Sequence, residues 1–116
     1  MTAPRPGQIT GYHAHIYCDE ESRAAVATLR EDLDGTFKVR LGRWRDAPVG
    51  PHPRSMYQVA FASDQFAELV PWLMLHRAGL VILVHPLTGD DRADHDGHAL
   101  WLGEKLGLDL DALEPA

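Results

Sequence analysis

Histidine is the side chain best suited both to hold a divalent metal and to move a proton near neutral pH, and this chain carries seven in 116 residues. Six of them fall in short clusters. His13 and His15 sit in Tyr12-His13-Ala14-His15-Ile16-Tyr17, and His52 in Gly50-Pro51-His52-Pro53. His85 closes the run Val81-Ile82-Leu83-Val84-His85-Pro86, and His95 and His98 follow in Asp94-His95-Asp96-Gly97-His98. The expected chemistry is a histidine-lined metal site. Each cluster also has a plainer explanation. His13 and His15 suit a solvated strand face, His52 an incidental loop position, and His95 with His98 a wet first helical turn. His76, near the end of a helical stretch, reads as a partner of the helix dipole and nothing more.

Positioning these groups requires strand ends and loops. After a loose lead-in over residues 1–8, a first strand is expected from Ile9 to Tyr17; its period of two puts His13, His15 and Tyr17 on one face and Tyr12, Ala14 and Ile16 on the other. Asp19 is a candidate N-cap for a helix with a stripe of Val26, Leu29 and Leu33, closed by Gly35. Thr36 to Leu41 alternates as a strand, and Gly42 to Arg54 forms a long loop in which Pro51 and Pro53 stiffen the backbone around His52. Met56 to Ala62 reads as the next strand. Ser63 or Asp64 then caps a helix carrying Phe66, Leu69, Val70 and Leu73, with a kink or fresh start at Pro71. The run Leu80 to His85 is apolar and β-branched, as in a strand buried on both faces. Asp94 is expected to cap a last helix bearing Ala99, Leu102 and Leu106 and ending at Gly107.

This order predicts an α+β fold: a ferredoxin-like βαββαβ sandwich with a C-terminal helix, in one domain spanning residues 1–116. Helices cover one face of such a sheet, so an apolar second face predicts a homodimer with a barrel-like α/β interface. The composition is that of a soluble globular protein. A net charge of −6 and scattered basic residues argue against a nucleic-acid partner, and Arg40, Arg43, Arg45 and Arg54, flanking the long loop, better suit an anionic small molecule. A single cysteine, Cys18, rules out an internal disulfide. With no apolar leader or membrane-length apolar run, the expectation is a cytoplasmic protein without membrane contact.

These histidine clusters, together with Phe66, Val70-Pro71-Trp72-Leu73, Gly79-Leu80, Thr88-Gly89, Ala93-Asp94-His95 and His98-Ala99-Leu100-Trp101-Leu102-Gly103, resemble the DOPA 4,5-dioxygenase family, an aromatic ring-opening extradiol type. The resemblance spans about residues 12–110 in matching order. It implies a ferredoxin-like, usually oligomeric protein that opens a catechol ring with non-haem iron(II) and O₂.

That chemistry needs about three protein ligands on one side of the metal, leaving positions for two catechol oxygens and O₂. His15, His52 and His85 are the expected ligands, a departure from the common pairing of two histidines with one carboxylate. His98 is the first candidate for acid and base, on the supposition that it lies in the first turn of a helix, and His13 is the second. Tyr17, Arg54 and His95 are candidates for holding the substrate, the arginine by pairing with a carboxylate. Two other readings use the same residues: a zinc-dependent hydrolase with three histidines and a water, and a non-enzymatic dimeric module for a small ligand or metal.

Overall fold

The computed structural model describes residues 3–113. Its elements are β1 (Gly11–Cys18), α1 (Arg23–Thr36), β2 (Arg40–Leu41), β3 (Ser55–Ala62), α2 (Phe66–His76), β4 (Ile82–Pro86), α3 (Asp91–Asp94) and β5 (Leu100–Leu102), with short 3₁₀ turns at Pro6–Gln8, Ser63–Gln65 and Leu110–Ala112. The strands form one antiparallel sheet in the order β2-β3-β1-β4-β5. The first four follow the split arrangement expected from the element order. The lead-in over 1–8 is ordered at Pro6–Gln8, and its first two residues lie outside those described.

β1 lies in the middle of the sheet and divides it chemically. Ala14 and Ile16 join Val26, Leu29 and Leu33 of α1 and Leu69, Val70 and Leu73 of α2 in the main core. Tyr17 faces the other way and packs with Met56, Leu83 and Leu106. β4 is buried at all five positions, as its apolar run requires.

Local differences from the expected boundaries have simple causes. The Asp19 carboxylate accepts from the Ser22 N–H (2.9 Å) while Ser22 Oγ accepts from the Asp19 N–H (2.9 Å), so this pair closes a turn and α1 starts only at Arg23. At the other end α1 runs through Gly35 to Thr36, leaving the chain too little length to pair before Arg40. Pro71 sits inside α2 without dividing it. Pro71 and Ala67, four residues earlier, are both exposed, so the carbonyl that loses its N–H partner lies on the solvent side.

The expected C-terminal helix is replaced by a strand. Asp90, not Asp94, caps the single helical turn of α3 by accepting from the Ala93 N–H (3.1 Å), and the chain then turns at Gly97 into β5. β5 pairs Leu102 with Ile82, Trp101 with Leu83 and Leu100 with Val84. An unpaired edge on the buried strand β4 would leave main-chain groups without partners, and β5 supplies them. The apolar residues that suggested a helical stripe accordingly divide between the two faces: Leu102 enters the main core, and Ala99 and Leu106 lie on the opposite face.

That opposite face is covered in part by the chain itself. Leu106 is buried there, Ala99 and Leu108 pack beside it, and the Asp109 N–H donates to the Pro51 carbonyl (2.9 Å), fastening the C-terminal segment to the loop that bears His52. The uncovered apolar face from which a partner subunit was expected is therefore smaller than a four-stranded sheet would leave. No helix among the described residues is long and apolar enough to cross a membrane.

Leu106 is the anchor of this cover. Leu106→Ala should lower stability by about 2–5 kcal/mol, the scale of a large-to-small change in a packed site, whereas Leu75→Ala, at a position 82% exposed, should leave it unchanged. Urea denaturation of both variants checks this, and equal midpoints would mean that the C-terminal segment does not cover the sheet.

Candidate metal centre

Five histidines converge on the sheet face opposite the helices. His13 and His15 project from β1 and His85 from β4, where His13 and His85 are directly opposed in the β1–β4 register. His52 enters from the loop before β3, and His95 from the residue that follows α3. Ring centroids are 4.2 Å apart for His15 and His52, 4.0 Å for His85 and His95, and 5.1 Å for His15 and His85. His15, His52, His85 and His95 are buried and His13 is partly open.

Two triads bring their ring nitrogens within 4.8 Å of one another: His13, His15 and His85, and His15, His52 and His95. His15 belongs to both. The expected set of His15, His52 and His85 takes its second and third members from different triads. His52 and His85 approach His15 from separate elements, a loop and a neighbouring strand, and sequence spacing carries no information on which pair closes.

Hydrogen bonds to groups that can only accept fix two tautomers. His85 Nδ1 donates to the Pro86 carbonyl (2.9 Å) and His95 Nδ1 to the Asp91 carbonyl (2.7 Å), which leaves each Nε2 with a free lone pair. Metal-binding histidines are oriented by just such bonds. His52 Nδ1 lies 2.7 Å from the Tyr17 hydroxyl, and Tyr17 is in turn stacked on Trp101 with ring planes 14° apart. His15 Nε2 is 3.0 Å from His85 Nε2, while His15 Nδ1 is buried with no partner. An orphaned nitrogen in the middle of four other imidazoles is costly unless a ligand satisfies it, and the donor set fits a divalent cation.

The electrostatics agree. Burial, followed by the neighbouring imidazoles, pushes His15 well below the ordinary histidine value of 6.5, and burial with His95 lowers His52 to about 4. Burial and His95 lower His85 to about 3, against smaller opposing effects from the Pro86 carbonyl and Asp94. His13 is lowered by burial and His95, with Asp91 opposing. These rings are neutral at neutral pH, the state in which imidazole binds metal. Burial also raises the Tyr17 phenol, so it keeps its proton.

The other expected site residues are placed differently. His98 lies in the turn after α3 and not in the first turn of a helix, so no helix dipole acts on it as expected. Its Nδ1 donates to Asp94 (2.9 Å), and His98 belongs to neither triad. Asp94 is fully buried and also accepts from Thr88 N (2.9 Å) and Thr88 Oγ1 (2.6 Å). Burial pushes its carboxyl up, but the bonds from His98 and Thr88 outweigh this and hold it below the usual carboxylate range. Arg54 lines an outer cleft with Asp19, Arg23 and Asp46. His95, expected to touch substrate, stands among the potential ligands. Trp101, stacked on Tyr17 beside the cluster, was not among the expected site residues, and only its alternation against Leu102 pointed to that face.

A profile described as the Dopa 4,5-dioxygenase family matches residues 12–112. The chain belongs to this family. It is 38% identical to a DOPA 4,5-dioxygenase of Amanita muscaria over 89% of its own length and 49% of that protein. It is 34% identical to an uncharacterized 21.2 kDa protein of Botryotinia fuckeliana, over 95% of this chain and 67% of the other. The chain thus spans about half to two thirds of these relatives. A crystal structure from Nostoc punctiforme, named as that of a "putative dioxygenase", superposes with a TM-score of 0.93 at 53% identity, covering 95% of this chain and 96% of that one. Family and fold neighbour together support a dioxygenase-like function.

The lowered histidines make a pH prediction for protein stripped of metal. Unfolded chains bind protons at these rings from about 6.5 downward, while the folded rings resist until about 4 for His52 and about 3 for His85. Stability is therefore fully present above pH 6.5 and is lost as pH falls through that window. Thermal unfolding in a chelator should show the fall, with a shallower slope for His85→Gln. A midpoint that is flat from about pH 7 to about pH 4 would refute the desolvated cluster.

Proposed function

We propose that the chain is an extradiol-type dioxygenase that opens a catechol ring using iron(II) and O₂ at the histidine cluster. The observation that carries this reading is the triad His15, His52 and His95. All three rings are buried within reach of a common point, and His95 is locked by a backbone carbonyl. These three residues would hold the metal, in place of the expected set with His85. When bound, iron(II) supplies a Lewis acid and a redox centre with open positions for two catechol oxygens and for O₂.

The chain's own residues do the rest. His52 Nδ1 donates to the Tyr17 oxygen when its Nε2 faces the metal, which orients the ring. Trp101 and Tyr17 form an aromatic wall beside it. His13, whose ring nitrogens have no hydrogen bond among the described residues, borders a cleft of about 470 Å³ that also includes Lys38 and Arg40. It is therefore the proposed acid and base, accepting the proton of a catechol hydroxyl and returning it after cleavage. A free base with an open route to solvent suits that task. His98 serves instead as the partner of Asp94, and Arg54, which lines a separate cleft although its charge reaches Tyr17, is a weaker candidate for substrate contact than Arg40, which shares the cleft of His13. Nothing in this scheme requires a partner subunit, and the homodimer remains a separate proposal to be tested by sedimentation.

Anaerobic loading with iron(II), followed by O₂ uptake on a panel of catechols, tests the reading. Uptake with a yellow ring-opened product is expected. His15→Ala should lose metal and activity together, whereas His76→Ala, at an exposed helix end stacked on Trp72, should retain both. His13→Ala should keep its iron and lose roughly a hundredfold in turnover, the usual scale for a positioned acid or base. Zinc as the native metal with no O₂ uptake would favour a hydrolase.

A further inference from the structure

The inner metal triad of His15, His52 and His95 uses three of the five clustered imidazoles and leaves His13 and His85. We propose that His13, His15 and His85 form a second site for a divalent cation such as zinc, filled beside the inner one and sharing His15 with it. This rests on the inner triad holding a metal. The three outer nitrogens close to within 4.8 Å, as the inner ones do. His85 is already oriented for the task, since Nδ1–H donates to Pro86 and turns the bare Nε2 toward His15 Nε2, 3.0 Å away. In the cation-free protein that contact is a single hydrogen bond between two rings. A cation replaces it with bonds to both.

His15 can serve two neighbours because it has two ring nitrogens. Nε2 meets His85, and Nδ1 is buried and otherwise unpartnered. Binding at both nitrogens requires the ring to release its remaining proton to solvent, which two adjacent dications favour. Asp91 and Asp94 offset part of the cost of positive charge at His13 and His85, which burial and the neighbouring His95 oppose at both rings and Arg40 opposes at His13. His13 is partly exposed on the rim of the cleft, so the outer site has an entry path. Imidazole suits zinc, cobalt and copper as well as iron.

Occupation of the outer site takes the lone pair of His13 and thereby removes the proposed proton acceptor. Excess zinc is thus expected to inhibit iron-loaded protein. The decisive measurement is stoichiometric and independent of catechol chemistry. Metal-free protein is dialysed against cobalt(II) or zinc(II), and bound metal per chain is counted by elemental analysis, with circular dichroism confirming the fold of each variant. Two equivalents are expected for the parent and for His76→Ala, and one each for His85→Ala, His13→Ala and His52→Ala. Should His85→Ala fail to fold, His13→Ala on the partly open strand face carries the test. A parent that saturates at one equivalent overturns the second site while leaving the inner metal intact. No bound metal overturns both, and two equivalents in His13→Ala and His85→Ala also overturn the second site.

Discussion

The strict alternation of β1, held between β3 and β4, is the constraint on which the rest of the structure depends. Its even positions, Ala14 and Ile16, are fully buried against the helices, so the odd positions His13, His15 and Tyr17 have nowhere else to go. A slip of one residue against β3 or β4 would carry two imidazoles into an apolar core and Ile16 out of it. Several kcal/mol of burial therefore enforce the register, taking about 1.5–3 kcal/mol per large apolar side chain. The opposition of His13 and His85 across the β1–β4 pair is a by-product of that register. The site is thus positioned by the hydrophobic effect acting on the other face of the same strand.

Features set by a period of two were legible in the sequence. The shared face of His13, His15 and Tyr17, the twofold burial of Ile82 to His85 and the order of the first four strands all rest on local patterns. The choice of His95 over His98 was not legible. It turns on whether Asp94 begins a helix, and the spacing of Ala99, Leu102 and Leu106 fits a helix as well as it fits a strand with a covering segment after it. The unpaired edge of β4 decides between them, and an edge is a property of the whole sheet. Likewise the bonds that free the Nε2 atoms of His85 and His95 come from main-chain carbonyls, which residue type does not reveal.

The loop around His52 shows a different limit. Pro51 and Pro53 restrict the backbone locally, yet what brings the imidazole over His15 is distant: the Asp109 N–H on the Pro51 carbonyl and the Tyr17 hydroxyl at His52 Nδ1. The segment that covers the second sheet face and the loop that bears His52 are therefore tied together by that backbone bond. Loosening Leu106 should be felt at His52 before it is felt at His85, because β4 is held on both sides by strands and the loop is not.

The absence of a carboxylate from both triads bears on which ligands the site prefers. Asp94 is buried nearby, but Thr88 and His98 consume its oxygens, and among the described residues no acidic side chain joins either triad. Three neutral imidazoles give a dication no charge compensation, and in a desolvated pocket uncompensated charge is expensive. On the proposed reading that charge would come from the bound molecule, and on the hydrolase reading from a metal-bound hydroxide. A catechol that loses its hydroxyl protons supplies two adjacent anionic oxygens at the spacing a chelate needs, whereas a neutral carbonyl or ester supplies none. An acidic, bidentate substrate of that kind is what the proposed dioxygenase reading calls for, and in it His13 would take the proton that the substrate gives up.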